Sequence, residues 1–354
     1  MSKKLQSLLK LAVGLGLLYL LFTRLEEPAK LWQQIASANL WLLLAGAACY
    51  TAAVALSAVK WGILLAAIGL SVPLGRLLNY QWVAEFFNHF LPAQVGGDVM
   101  RGYALATDTH RRADAAASIL IDRFIGLLVF MLGAACAAVI LLWGGRPDGA
   151  TFSDEALISL RLIALGSVGA SLTLVALLGA MLSRRLKTVI EQLLVRLPLA
   201  QHTVPIWQKL ALAFNAYRDQ HRALGLTVLG SVGIVILTSV NIWLIANALT
   251  PNSIALAEVL AINPIIVFIG LVVPLAPGGL GVRQGAFYAT FLLLGRSGEL
   301  GLAAGLLQHF IGYLVSLPGG YLWVRGGAKT KPDERASDGR VSERESSAAS
   351  IQQR

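Results

Sequence analysis

Apolar residues run along this chain in blocks of about twenty, each closed by a short polar or charged segment. A helix needs roughly 20 such residues to cross a hydrocarbon core of about 30 Å. Blocks of that length predict spans over roughly 5–23, 40–65, 118–143, 158–182, 223–249 and 300–324. Two further apolar stretches, 72–91 and 254–275, end differently. Each runs into prolines and a glycine pair, and a shorter helical stretch follows, about 98–106 and 281–294.

The two interruptions share one string. Pro-x3-Gly-Gly-x3-Arg occurs as Pro92…Gly96-Gly97…Arg101 and again, 182 residues later, as Pro274…Gly278-Gly279…Arg283. At the same offset Trp61 falls on Trp243, and 40–74 matches 222–256 in apolar pattern. With four extra residues in the second half, Phe124-Ile-Gly-x-Leu-Val129 falls on Phe310-Ile-Gly-x-Leu-Val315. Each half therefore reads as span, span, re-entrant hairpin, span. Three crossings per half is an odd number, which inverts one half relative to the other. The expected fold is an all-α polytopic membrane protein: six full spans plus two re-entrant helical hairpins, arranged as an inverted repeat. The first repeat covers 1–143, with its hairpin at about 72–106. The second covers 158–325, with its hairpin at about 254–294, and 326–354 is a polar, Ser- and Arg-rich tail without periodicity, expected to be disordered.

Composition agrees with a membrane class: 56% of residues are hydrophobic and 14% charged. The net charge of +10 is spread through loops and tail rather than gathered for nucleic acid, and no nucleic-acid partner is expected. Lysine and arginine set the orientation. With a cytoplasmic amino end and re-entrant hairpins, segments 1–10, 104–117, 183–222 and 325–354 hold nineteen Lys and Arg on the inside. Only Arg24, Lys30, Arg146 and Arg296 fall outside, so both termini are expected in the cytoplasm. The loop 183–222 carries two amphipathic basic stretches suited to the cytoplasmic interface and anionic headgroups. The amino end imitates a secretion signal, but no small-residue cleavage site follows, so it is expected to stay as an anchored span. Cys49 and Cys136 lie alone in apolar helices and point to neither a metal nor a disulfide.

The hairpins carry the candidate chemistry. In the first, Pro92 ends the incoming helix, the pair Gly96-Gly97 turns the backbone, Asp98 is placed to cap the next helix, and Arg101 follows one turn later. A helix N-terminus beside an arginine is an anion site suited to a lipid phosphate; an i,i+3 pair that only neutralises Asp98 and Arg101 is the alternative. Glu85, Asn88 and His89 lie on the hairpin's deeper part. The second hairpin offers Pro277, Gly278, Gly279, Gly281, Arg283 and Gln284, with no carboxylate. Asp122-Arg123 opens the third span, as a gate or counter-charge near the first hairpin or as an ordinary interface pair. Motifs for metal, nucleotide or nucleophilic chemistry are missing, and no cofactor and no catalytic activity are expected.

At these residues the chain resembles the flippase-like transmembrane region of the lysylphosphatidylglycerol synthase family. The likeness rests on Asn88-x3-Pro92-x3-Gly96-Gly97-Asp98-x2-Arg101-x-Tyr103, on Asp122-Arg123, and on Pro274-x2-Pro277-Gly278-Gly279-x-Gly281-x-Arg283, over about residues 5–325. The family typically has Glu after the second Arg, where this chain has Gln284, so a proton-coupling role for that position is in doubt. Some thirty polar residues follow the last span, and synthesis of a lysyl-lipid is not expected. The resemblance implies lipid translocation between leaflets of a bacterial cytoplasmic membrane, or support of lipid or glycan assembly. Its implied partners are lipids with anionic headgroups, with lipid or glycan biosynthesis enzymes as further candidates. A non-transporting scaffold, and a lipid-linked transferase using Asp98 and Asp122 as metal ligands, remain as alternatives.

Overall fold

The structure is a computed structural model that describes residues 28–90, 96–145, 151–182, 215–272 and 279–327, with isolated positions 16, 19, 23, 149 and 208. Among the described residues it contains ten helices: α1 (Pro28–Ala36), α2 (Leu40–Ala67), α3 (Leu74–Phe90), α4 (Gly96–Thr109), α5 (Arg112–Gly144), α6 (Asp154–Leu182), α7 (His221–Leu249), α8 (Leu256–Val272), α9 (Val282–Leu293) and α10 (Gly298–Gly327). Helices α2, α5, α6, α7 and α10 are long and apolar enough to cross a membrane. They match five of the expected spans, although α5 starts at Arg112 rather than near 118. The sixth expected span, 5–23, lies almost wholly outside the described residues, as do the tail 326–354, most of the loop 183–222, and Pro92, Pro274, Pro277 and Gly278.

Length separates the other helices from the spans. With 14 residues in α4 and 12 in α9, each rises only about 18–21 Å and cannot cross the hydrocarbon alone. Each follows a 17-residue helix, α3 or α8, and packs back against it.

Packing pairs exchange between the halves. Replacing α2, α3, α4 and α5 by α7, α8, α9 and α10 turns the α3–α10 contact into α8–α5, α4–α5 into α9–α10, and α2–α5 into α7–α10, and all of these are present. The α2–α7 pair maps onto itself, and its two helices run antiparallel. Asn39 N–H donates to the Ala248 carbonyl at 2.9 Å near one end, and Asn241 Nδ2 donates to the Gly46 carbonyl, also at 2.9 Å. Lys60 Nζ then reaches Ser231 Oγ at 3.2 Å toward the other end.

Close helix approaches depend on glycine. A Cβ at Gly97 would strike the Ala84 carbonyl oxygen and the Asn88 side chain, so α4 can return along α3 only with a glycine there. Gly319 of α10 plays the same part against the Trp82 carbonyl of α3, and Trp82 Nε1 donates to the Val315 carbonyl at 3.1 Å. The largest apolar core gathers in the second half, where Phe287 and Phe291 of α9 pack with Ile262, Ile265, Leu302 and Ala303.

Gly97→Ala is expected to lower the thermal stability of the detergent-solubilised protein by about 1–3 kcal/mol through overpacking. Gly75→Ala meets nothing within 4 Å and is expected to leave the melting temperature unchanged or slightly raised; equal melting of both variants would contradict this packing.

Candidate functional site

A charge in the middle of an apolar helix persists only with a partner, because desolvation of an isolated ion costs several kcal/mol. Lys60 sits three-quarters along the 28-residue α2 and is 5% exposed. Its partner is Asp122 of α5, with Nζ 3.0 Å from Oδ1. Asp122 Oδ2 accepts from Arg101 Nη2 of α4 at 2.8 Å. Arg101, itself 3% exposed, also meets Asp98 Oδ1 at 3.0 Å, donates to Gln81 Oε1 of α3 at 3.2 Å, and lies over the Trp61 ring at 4.9 Å. Trp61 in turn donates its indole N–H to Ser118 Oγ at 3.1 Å. Asp98 closes the chain by pairing with Arg123.

Helical geometry sorts the adjacent Asp122 and Arg123. Successive residues point about 100° apart, so Asp122 faces the interior while the Arg123 side chain stays 47% exposed. The result is one ion network, Lys60–Asp122–Arg101–Asp98–Arg123, that ties α2, α4 and α5 together. Among the described residues it joins three cations, Lys60, Arg101 and Arg123, to two carboxylates, Asp98 and Asp122. Asp98 does not cap α4 as its sequence position led us to expect: the helix already starts at Gly96, and the carboxylate lies in its first turn, turned to the two arginines. The corner is held instead by Asn88, whose Oδ1 accepts from the Gly97 N–H at 3.0 Å.

This network borders a cavity of about 1650 Å³. Lys60, Asp98, Arg101, Asp122 and Arg123 form a charged side, and Tyr50, Glu85 and Asn88 extend it along α2 and α3. Val99 and Tyr103 of α4 with Ile119, Leu120, Leu127 and Phe130 of α5 supply an apolar side. The cavity continues to Thr107, His110 and Arg112 at the α4–α5 connection. Tyr50 donates its hydroxyl to Glu85, and His89 Nδ1 lies 3.0 Å from the Glu85 carbonyl and 3.7 Å from its carboxylate.

The second hairpin is built differently. Gly279 and Gly281 have φ of +76° and +81°, in the left-handed region that favours glycine. Gln284 is fully buried, and its Oε1 accepts from the Gly281 N–H at 2.7 Å, so it closes the start of α9. Arg283 is half-buried within Coulombic reach of Tyr50 and Glu85, and no ion pair ties it among the described residues. Gly279, Arg283 and Gln284 do not line the large cavity. Among the sequence-derived candidates, Asn88, Asp98, Arg101, Asp122 and Arg123 thus share one cavity, while Gly96 and Gly97 open α4 without lining it and Gly279, Arg283 and Gln284 stand apart. Pro277 and Gly278 lie outside the described residues.

Sequence reading missed Lys60, Tyr50 and Gln81. A lysine inside a 28-residue apolar helix was a signal in plain view, since such a charge requires a counter-charge from another helix. Tyr50 and Gln81 gave no such signal, being ordinary in an amphipathic interior. No group of three or more metal-ligating side chains exists among the described residues. Asp98 and Asp122 are already occupied by cations.

A family model described as Lysylphosphatidylglycerol synthase TM region matches residues 7–319. No curated protein matches the chain.

Asp122→Asn is expected to destabilise by about 3–5 kcal/mol, since Lys60 and Arg101 would remain buried against a neutral amide. Lys60→Met should cost less, because Asp122 keeps Arg101. Thermal melting in detergent ranks the two, and a reversed order would show that Asp122 does not hold the network.

Proposed function

We propose that this chain, which belongs to the lysylphosphatidylglycerol synthase transmembrane-region family, is a multi-pass membrane protein that moves an anionic lipid between leaflets. The observation that carries this reading is a cavity of about 1650 Å³ with an ion network on one side and apolar α4 and α5 residues on the other. A lipid has the same division. Its phosphate suits the guanidinium groups of Arg101 and Arg123, and its acyl chains suit the wall of Val99, Tyr103, Leu120 and Phe130. Phospholipid and polyprenyl-phosphate headgroups share this chemistry.

Movement between leaflets follows from an inverted repeat. The exchange of packing pairs between the halves and the antiparallel α2–α7 pair support that arrangement. The short helices α4 and α9, each folded back on its predecessor, support two re-entrant hairpins entering from opposite sides. In this conformation the cavity reaches the α4–α5 connection, an end that the lysine and arginine distribution favours for the cytoplasmic side. Rocking of the halves about α2 and α7 would open the other side in turn. A pure scaffold has no use for a charged network beside a large cavity, and a metal-dependent transferase would have to take Asp98 and Asp122 from their arginines and Lys60.

In liposomes containing phosphatidylglycerol, the purified protein is expected to speed leaflet exchange of a fluorescent phosphatidylglycerol well above protein-free vesicles. Arg101→Ala and Arg283→Ala should each abolish the gain. Wild-type exchange by both variants would remove this mechanism.

A further inference from the structure

Where the first half keeps its ion network, the second half keeps buried polar groups without partners. By the repeat register, Arg283 stands for Arg101, Gln308 for Asp122, His309 for Arg123 and Leu280 for Asp98. Both carboxylates are therefore missing, and one arginine remains. Helices α9 and α10 pack antiparallel, with Phe291 against Gly301 and Phe287 against Gly305. One turn further, the same faces set Gln284 opposite Gln308 and Arg283 opposite His309, and the charge of Arg283 bears on His309.

The polar inventory of this nest is unbalanced. Gln308 is 3% exposed and His309 5%, and among the described residues neither amide atom of Gln308 and neither ring nitrogen of His309 has a hydrogen-bond partner. Gln284 uses its carbonyl on Gly281 N–H and leaves its amide nitrogen unpaired. Arg283 has no ion pair or hydrogen bond among the described residues. Glu85, whose charge reaches it, lies beyond ion-pair distance and already accepts from Tyr50. His89 of α3 flanks the nest, its ring centroid 6.1 Å from that of His309. Donors outnumber acceptors: a guanidinium, two amide nitrogens and an imidazole N–H stand against the Gln308 carbonyl oxygen and the second imidazole nitrogen. Buried groups left unpaired are unfavourable, and a compact oxyanion supplies the acceptors they lack.

We propose that Arg283, Gln284, Gln308 and His309 form a second station for a phosphate oxyanion, that of a lipid headgroup passing between the halves. The inference rests on the translocation reading and adds to it a division of labour. The first-half network carries carboxylates of its own and also ties the helices together. The second-half nest is completed by the carboxylate-like oxygens of the ligand.

The test uses the full-length protein in detergent, titrated by calorimetry with dihexanoyl phosphatidylglycerol and, in a second arm, with inorganic phosphate. Wild type is expected to bind the lipid, and Arg283→Gln to weaken it about tenfold or more. Because that variant can fail to fold, Gln308→Asp is the decisive one. By the repeat register it puts a carboxylate at the position that answers to Asp122, next to His309 and near Arg283, and should raise the melting temperature while weakening binding about tenfold or more. A Gln308→Asp chain that binds like wild type, or that melts lower, overturns the proposal. So does a wild-type chain that binds neither probe, whereas leaflet exchange in liposomes reports on translocation separately. Equal affinity for inorganic phosphate would keep the oxyanion nest and assign it a water-borne ligand in place of a lipid.

Discussion

Everything in the first half is arranged around one buried carboxylate, Asp122. A lysine from α2 and an arginine from α4 both end on it, 3.0 and 2.8 Å away. Neither cation tolerates burial alone, so the carboxylate determines how close three helices stand. Without it α4 would have no charged anchor on α5 except the more exposed Asp98–Arg123 contact. The cavity exists because α4 is held at this distance: near enough for Arg101 to reach Asp122, with Gly97 as the pivot against Ala84 and Asn88 bridging the corner. Fold and candidate site are therefore the same set of contacts seen from two sides.

The two halves share matching helix contacts but differ in chemistry. Trp61 and Trp243 are in register, but Trp61 lies under an arginine and bonds Ser118, whereas Trp243 donates to the Ile254 carbonyl within its own half. Gln81, which binds Arg101, corresponds to Asn263, which binds Thr238 and Ser239 at 2.9 Å each. At these matched positions the first half sets charge against charge, and the second half sets Arg283 among amides and a histidine. For a path that must release its cargo, unequal ends of this kind are reasonable, since equal and strong binding at both would trap it.

Much of this architecture was legible in the order of residues. Block length located the five long helices to within a few residues, because a continuous apolar run has no alternative structure in lipid. Glycine marked both returns, but for different reasons: Gly96 and Gly97 already lie in α4, where Gly97 allows the close approach to Ala84 and Asn88, whereas Gly279 and Gly281 take the left-handed backbone. What could not be read was which charges meet. Asp122 and Arg123 are neighbours in sequence yet belong to different pairs, and the distinction depends on which face of α5 turns toward α2. Lys60 lies sixty-two residues from its partner, so only the packing of α2 on α5 reveals the pair. Asp98 resembled a cap because local rules favour it there, and tertiary ion pairing won.

The central claim is that a lipid headgroup reaches this network through the first hairpin, within the bilayer. A density map of the protein in phosphatidylglycerol nanodiscs tests it most directly. The account predicts elongated density between α4 and α5, its phosphate ending beside Arg101 and Arg123, with both glycine corners inside the bilayer. A cavity filled only by solvent, or glycine corners standing in bulk water on one face, would contradict it.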